Sequence, residues 1–264
     1  MRLLFVGDIV GKPGRRAVHD LLPELVRNRQ IDFVIANGEN AAAGFGLTRE
    51  IVEELFENQI DVLTTGNHVW DKKEILDCIN DYESLLRPAN YPAPAPGRGS
   101  VAMPAVNGLH VGVVNLMGRI FMHPLECPFR TAEREIERLR MRTPVIIVDI
   151  HAEATSEKIA LGWFLDGKVT AVLGTHTHVQ TADERILPGG TAYITDVGMT
   201  GPFDSVIGTR KEIILERFLS QLPNKFEVAK GDVRLQAVLI DVEQASGKAL
   251  SIERLSLPLR QEQC

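Results

Sequence analysis

Four of the seven histidines in this chain stand directly after short apolar runs. His68 follows "IDVLTTGN", His151 follows "PVIIVDI", and His176 and His178 follow "VTAVLGT". Other donors stand in the same kind of place: Asp8 after "RLLFVG", Glu39 and Asn40 after "IDFVIANG", and Asn67 just before His68. Imidazole, carboxylate and amide donors in one set suit a metal centre, and such a centre would attract an anionic ligand such as phosphate. No thiolate belongs to the set, which argues against a structural zinc site and fits iron, manganese or catalytic zinc. The pair in "GTHTHVQ" leaves three arrangements open: His176 and His178 on one ion, on two ions, or on none.

These residues reach one place only if the elements carrying them are parallel strands. Apolar strands are expected at "RLLFVG", "IDFVIAN" and "IDVLTTG". Helical patterns lie between them at 14–29 and 48–58, and another follows near 71–80. This β-α alternation implies a parallel sheet with right-handed crossovers. A second series follows: a strand pair around Asn107–Gly108, a helix near 129–141, the strand "PVIIVDI", a helix near 156–165, and strands at "VTAVLG" and 191–196. A helix over 209–222 and two or three antiparallel strands complete the chain. Two sheets sharing one core, with helices outside, fit this order, and no domain boundary or internal repeat interrupts it. In open α/β sheets, ligands bind at the carboxyl ends of the strands, where all eight donor residues lie. Gly7, Gly38, Gly66 and Gly174 precede them and allow sharp turns and close approach.

The totals narrow the class. Of 264 residues, 44% are hydrophobic and 24% charged, with a formal net charge of −6. Those values fit a globular protein and do not favour an extended nucleic acid or an anionic membrane as partner. No window reaches a membrane-span length of apolar residues, and the first apolar run is too short for a signal peptide. Cys78, Cys127 and Cys264 are scattered and odd in number, so a reducing, cytoplasmic location is expected. The proline-dense run at 87–99 is expected to be a surface connector or a loop bordering the site. "GDIVGKPG" lacks the spacing of a P-loop or a dinucleotide fingerprint. The glycine-rich loop 196–208 is either a structural turn or a source of N–H groups for a phosphate.

Taken together, "GD" (7–8), "NGEN" (37–40), "GNH" (66–68), His151 and "THTH" (175–178) resemble the five blocks of the calcineurin-like metallophosphoesterases. The likeness is greatest to their YmdB-type bacterial branch of cyclic-nucleotide phosphodiesterases, also through "ANGENAAAG", "TTGNHVWD" and "YITDVGMTGP". Three positions depart from the general pattern: Val10 for a histidine, Glu39 for the bridging aspartate and Thr175 for a glycine; the first two departures are shared by the branch. The resemblance implies a single domain over 1–264, folded as a four-layer α/β/β/α sandwich of two mixed sheets flanked by helices. It further implies two metal ions, iron or manganese rather than zinc. Asp8, Glu39, Asn40 and His178 would hold one ion; Glu39, Asn67, His151 and His176 would hold the other. His68 would act as the catalytic acid or electrostatic group, with Asp71 either orienting it or capping the next helix.

Such chemistry suits a phosphodiester. Two cations ~3.5–4 Å apart can polarise phosphoryl oxygens and activate a hydroxide for attack on phosphorus. The substrate expected is a small cyclic nucleotide, 2′,3′-cyclic first. A phosphomonoesterase of the same fold and a non-catalytic cyclic-nucleotide-binding regulator are the alternatives. A homo-oligomer is compatible with the sequence.

Overall fold

Strands that are apolar on every side chain need cover on both faces, and two sheets packed face to face provide it. The computed structural model describes residues 1–260, so Cys264 lies outside the described residues. In the first sheet, β1 (Arg2–Val6), β3 (Phe33–Asn37) and β4 (Val62–Thr64) run parallel. On the other side of β1 lies β12 (Val233–Val242), antiparallel, carrying β13 (Ala249–Pro258). Two short strands, β2 (Asp8–Ile9) and β11 (Met199–Pro202), extend this sheet. The second sheet has parallel β6 (His110–Met117), β7 (Ile146–His151), β8 (Ala171–Thr175) and β10 (Ala192–Ile194). Its edges are β5 (Ser100–Pro104) and β9 (Arg185–Ile186), both antiparallel.

Alternation along β1 separates the layers, because successive side chains point to opposite faces. Leu4 and Val6 pack outward with Val18 and Leu22 of α1 (Gly11–Arg29) and Leu55 of α2 (Arg49–Glu57). Leu3 and Phe5 pack inward against Val113, Ile147, Leu173 and Ile194 of the other sheet. Beyond that sheet, Val114 and Val148 meet Ile136 of α4 (Pro128–Arg140) and Leu161 and Leu165 of α5 (Thr155–Leu165). The result is the four-layer α/β/β/α sandwich that the resemblance implied.

Several boundaries differ from the sequence reading for local reasons. Helix α1 begins at Gly11 rather than 14, since Pro13 is tolerated in a first turn. Gly14 must stay small, because a Cβ there would meet Thr200 O at 2.3 Å. The helix expected near 71–80 is a short α3 (Glu74–Cys78) followed by one 3₁₀ turn, Ile79–Asp81. Residues 199–202, read as part of a loop, form β11 because β2 and β12 supply pairing partners on both sides. Thr200 and its neighbour Gly201 are therefore buried in the sheet. The tail contributes two strands, with only an isolated bridge at Thr209↔Val228 ahead of them. Helix α6 (Lys211–Ser220) forms as expected but buries none of its residues. Among the described residues, no helix is long and apolar enough to cross a membrane.

The inter-sheet layer gives a direct test. Phe5 is 1% exposed within it, and Phe5→Ala should cost about 3–5 kcal/mol. Urea denaturation should show a lower midpoint at unchanged slope; a cost below about 1 kcal/mol would mean that the layer contributes little cohesion.

Candidate metal centre

The eight donor residues end five parallel strands taken from both sheets. Asp8 follows β1, Glu39 and Asn40 follow β3, and Asn67 and His68 follow β4. His151 is the last residue of β7, and His176 and His178 follow β8. Asp8, Glu39 and His151 are 0% exposed, an environment that carboxylates and imidazoles enter only when paired or when holding an ion.

Their atoms fall into two groups that share Glu39. In the first, His151 Nε2 lies 3.0 Å from Glu39 Oε1, 3.0 Å from Asn67 Oδ1 and 3.0 Å from His176 Nδ1. Glu39, His151 and His176 form a cluster of potential ligand atoms all within 4.8 Å of one another. In the second, the Asn40 amide lies 3.3 Å from Glu39 Oε1 and 3.1 Å from His178 Nε2. Rotating that amide by half a turn presents its oxygen instead, an exchange that hydrogen-bond geometry alone decides. Beside them, Asp8 Oδ2 accepts from the His176 backbone N–H at 3.1 Å, while Asp8 Oδ1, buried, has no hydrogen-bond partner among the described residues.

This donor set fits a cation. Two side-chain oxygens and a ring nitrogen of His176 crowd one imidazole nitrogen that carries at most one proton, and a buried carboxylate oxygen beside them is unpaired; a metal ion would satisfy both. The electrostatics agree. Burial works against an ionised Glu39, but the adjacent His151 outweighs it and holds the carboxyl down to about 2. Burial opposes a charged His151 too, yet Glu39 and Asp8 push it up to about 9. Burial and the neighbouring His151 depress His176 to about 3, so its nitrogen keeps a lone pair. In effect one proton on His151 neutralises carboxylates that a cation would neutralise.

Residues behind the cage fix its histidines; of these, Thr175 stood out in the sequence only as a departure from the motif, and Asp149 and Asn37 were not singled out. His151 Nδ1 lies 2.9 Å from Thr175 Oγ1, which donates to Asp149 Oδ1 at 2.7 Å. Asn37 Nδ2 donates to Asp149 Oδ2 at 3.2 Å. With a cation in place of the proton facing Glu39, a proton kept on Nδ1 would leave the Nε2 lone pair directed into the cage, the usual way an outer partner orients a ligand histidine. Burial pushes Asp149 up to about 7. A lone Asp within the apolar run "PVIIVDI" was the available signal, since a carboxyl in a buried strand needs a partner. Gly66 is needed for space: a Cβ there would come 2.1 Å from the His151 ring.

The "THTH" turn is strained at its histidines rather than at Thr175. His176 has φ 99° and His178 φ 63°, left-handed backbone that non-glycine residues adopt at a cost of order 1–3 kcal/mol. A buried ion pair holds the residue between them. Lys158 Nζ donates to Asp196 Oδ2 at 2.8 Å, and the same oxygen accepts from the Thr177 backbone N–H at 3.0 Å and hydroxyl at 2.7 Å. Thr177, between the two histidines, is thus fastened from below.

His68 stands at the mouth. Its backbone N–H donates to Glu39 Oε2 at 3.1 Å, and its Nδ1 lies 2.8 Å from Asp71 Oδ2, so Asp71 orients the ring and does not cap α3. A cleft of about 240 Å³ opens here. Glu39, Asn40, His68, His176 and His178 form the side nearest the cage; the rest is mostly apolar, with Phe45, Ile207, Ile214, Phe218 and Phe226, but also includes Thr209 and Glu227. Within the loop 196–208, the segment from Val206 to Gly208 lines the cleft, whereas Thr200 and Gly201 do not. His19 and His123 are exposed and do not line the cleft, and His110 begins β6.

Known proteins share this arrangement of chain. A family model described as YmdB-like protein matches residues 4–255. The chain is 53% identical to a 2′,3′-cyclic-nucleotide 2′-phosphodiesterase of Bacillus subtilis (strain 168), over 97% of this chain and 96% of that protein. Two crystal structures superpose with TM-scores of 0.91. A hypothetical protein from Thermus thermophilus is 46% identical and covers 98% of this chain and 99% of its own. A novel phosphatase from Mycoplasma pneumoniae is 37% identical and covers 98% and 93%.

The pair beneath the turn can be probed separately from the cage. Lys158→Met leaves the Asp196 charge buried without its cation and should destabilise the fold by about 3–5 kcal/mol. It should also weaken Mn²⁺ binding in calorimetric titration, because Thr177 loosens between the two histidines. A stability loss with unchanged Mn²⁺ affinity would make the pair a fold contact only.

Proposed function

The chain belongs to the YmdB-like family, and on that premise we propose that it is a metal-dependent phosphodiesterase hydrolysing small cyclic nucleotides, 2′,3′-cyclic ones first. The observation that carries the choice of diester is the cleft's lining, which includes no lysine and no arginine among the described residues. A phosphomonoester is a dianion whose terminal oxygens call for extra cationic or fork-shaped donors, whereas a diester carries one charge. The cleft volume of about 240 Å³ is below the ~300–1,000 Å³ common for drug-sized ligands and suits a mononucleotide rather than a strand. A purely binding regulator has no use for His68 as a proton donor. The whole chain, 1–264, is read as one domain acting in the cytoplasm.

In this reading Asp8, Glu39, Asn40 and His178 hold one ion, and Glu39, Asn67, His151 and His176 hold the second. The oxygen and nitrogen donors favour iron or manganese over zinc. Bound cations would offset the phosphate's charge and make a water acidic enough to attack at neutral pH. The chain's own residues do the rest. Glu39 keeps the two ligand groups together, and Thr175 and Asp149 keep the His151 lone pair aimed inward. His68, with Nδ1 engaged by Asp71, has Nε2 left for the substrate and delivers a proton to the departing O2′. Water's oxygen ends on phosphorus, the P–O2′ bond breaks, and a 3′-monophosphate results.

Metal analysis of the purified protein should give about two ions per chain, and either His176→Ala or His178→Ala should remove mainly one, a different one in each case. Hydrolysis of 2′,3′-cAMP should fall by more than about 100-fold in His151→Ala, beyond the 10–100-fold typical of losing an outer partner. Full activity after chelation, or a strong preference for p-nitrophenyl phosphate over cyclic diesters, would refute the proposal.

A further inference from the structure

We infer that the apolar wall facing the metal cage is a nucleobase-stacking subsite, with Phe45 and Phe226 as the residues that hold the base. The inference rests on the phosphodiesterase reading and specifies how that site selects its substrate. Three observations carry it.

The first is placement. The Phe45 ring stands edge-on to the His68 ring with centroids 4.9 Å apart, and the Phe226 ring centroid is 6.1 Å from that of Phe45. His68 in turn touches Glu39 through its backbone. The path from cage to His68 to the two phenylalanines matches the order phosphate, ribose, base in a 2′,3′-cyclic nucleotide. The second is exposure. Neither Phe45 nor Phe226 is fully buried, and Phe218 and Ile207 on the same wall are 70% and 54% exposed. An apolar patch left open beside a polar centre marks a surface that a ligand covers.

The third is that the backbone and a charged neighbour fix the rings. Phe45 sits between Gly44 at φ 98° and Gly46 at φ 76°, conformations that glycine adopts without strain. At Gly46 a Cβ would also approach Lys72 Cγ to 2.8 Å. The Arg217 guanidinium stands over the Phe226 ring, 4.7 Å from its centroid, and so constrains that ring. Few polar groups join the wall. Glu227 is paired with Arg210 at 3.0 Å, and the Thr209 backbone N–H is given to Val206. With so few polar groups on the wall, the base is held mainly by its face, which rewards stacking area.

The test compares two cyclic phosphates that differ in the base: 2′,3′-cAMP and glycerol 1,2-cyclic phosphate, which has the five-membered ring and no base. Losing one base–aromatic stack is worth on the order of 5- to 150-fold. In Phe226→Leu and Phe45→Leu, the ratio of kcat/KM for 2′,3′-cAMP over glycerol 1,2-cyclic phosphate should fall about tenfold or more. Phe226→Tyr, which keeps the ring, should restore it. Calorimetry with adenosine 3′-monophosphate should show weaker binding in the leucine variants, with glycerol phosphate as the comparison. Equal losses on both substrates, or no loss on either, would overturn the subsite while leaving the phosphodiesterase reading in place. Turnover of neither substrate by the wild-type protein would overturn both.

Discussion

Two oxygens and a second ring nitrogen within 3.0 Å of one buried imidazole nitrogen, with an unpaired carboxylate oxygen alongside, set the terms for this protein. Buried charge of one sign is tolerated only next to a counter-charge. Here the counter-charge in the chain itself is a single proton on His151, kept there by Glu39 and Asp8. The fold has to bring these groups together from five strands of two sheets, and the sandwich does so by aligning the carboxyl ends of both sheets at one edge. A protein without a cation to bind would gain by replacing these groups with apolar ones, as buried ion clusters seldom repay their desolvation.

The strain at His176 and His178 follows from the same demand. Two histidines separated by one residue must send their rings to different groups: His176 Nδ1 toward His151, His178 Nε2 toward Asn40. Extended backbone would place both rings on one face of a strand. Left-handed backbone at both histidines separates them instead, and the Lys158–Asp196 pair holds Thr177 in place between them. The buried lysine is thus explained by the turn it fastens, and not by the helix that carries it.

How much of this could be read from sequence follows from the kind of signal each part leaves. The strand ends were legible because an apolar run broken by Asp, Asn or His has few bland explanations when it recurs five times. Helix α2 was legible because Thr48 caps it and its apolar spacing is regular. Strand β11 was hidden because "GMTGP" has turn composition; only pairing with β2 and β12, distant in sequence, makes it a strand. Lys158 was hidden because a lysine in "SEKIALGWFL" looks like any solvated helical residue until Asp196 arrives from another element. Phe45 and Phe226 were hidden because a lone phenylalanine reads as core, and their common cleft depends on a glycine loop meeting the chain after α6.

That last gap bears on selectivity. A metal cage neutralises any phosphate ester that reaches it, so the ligand set by itself distinguishes poorly among substrates. Discrimination has to come from surfaces that a wrong substrate leaves uncovered or a right one fills. On the proposed reading, a cleft lining without lysine or arginine among the described residues disfavours dianions, and the aromatic wall favours a flat, apolar group. The two effects are independent in origin, one from charge and the other from area. On that reading, the two together favour a substrate with one negative charge and one base, as in a small cyclic nucleotide.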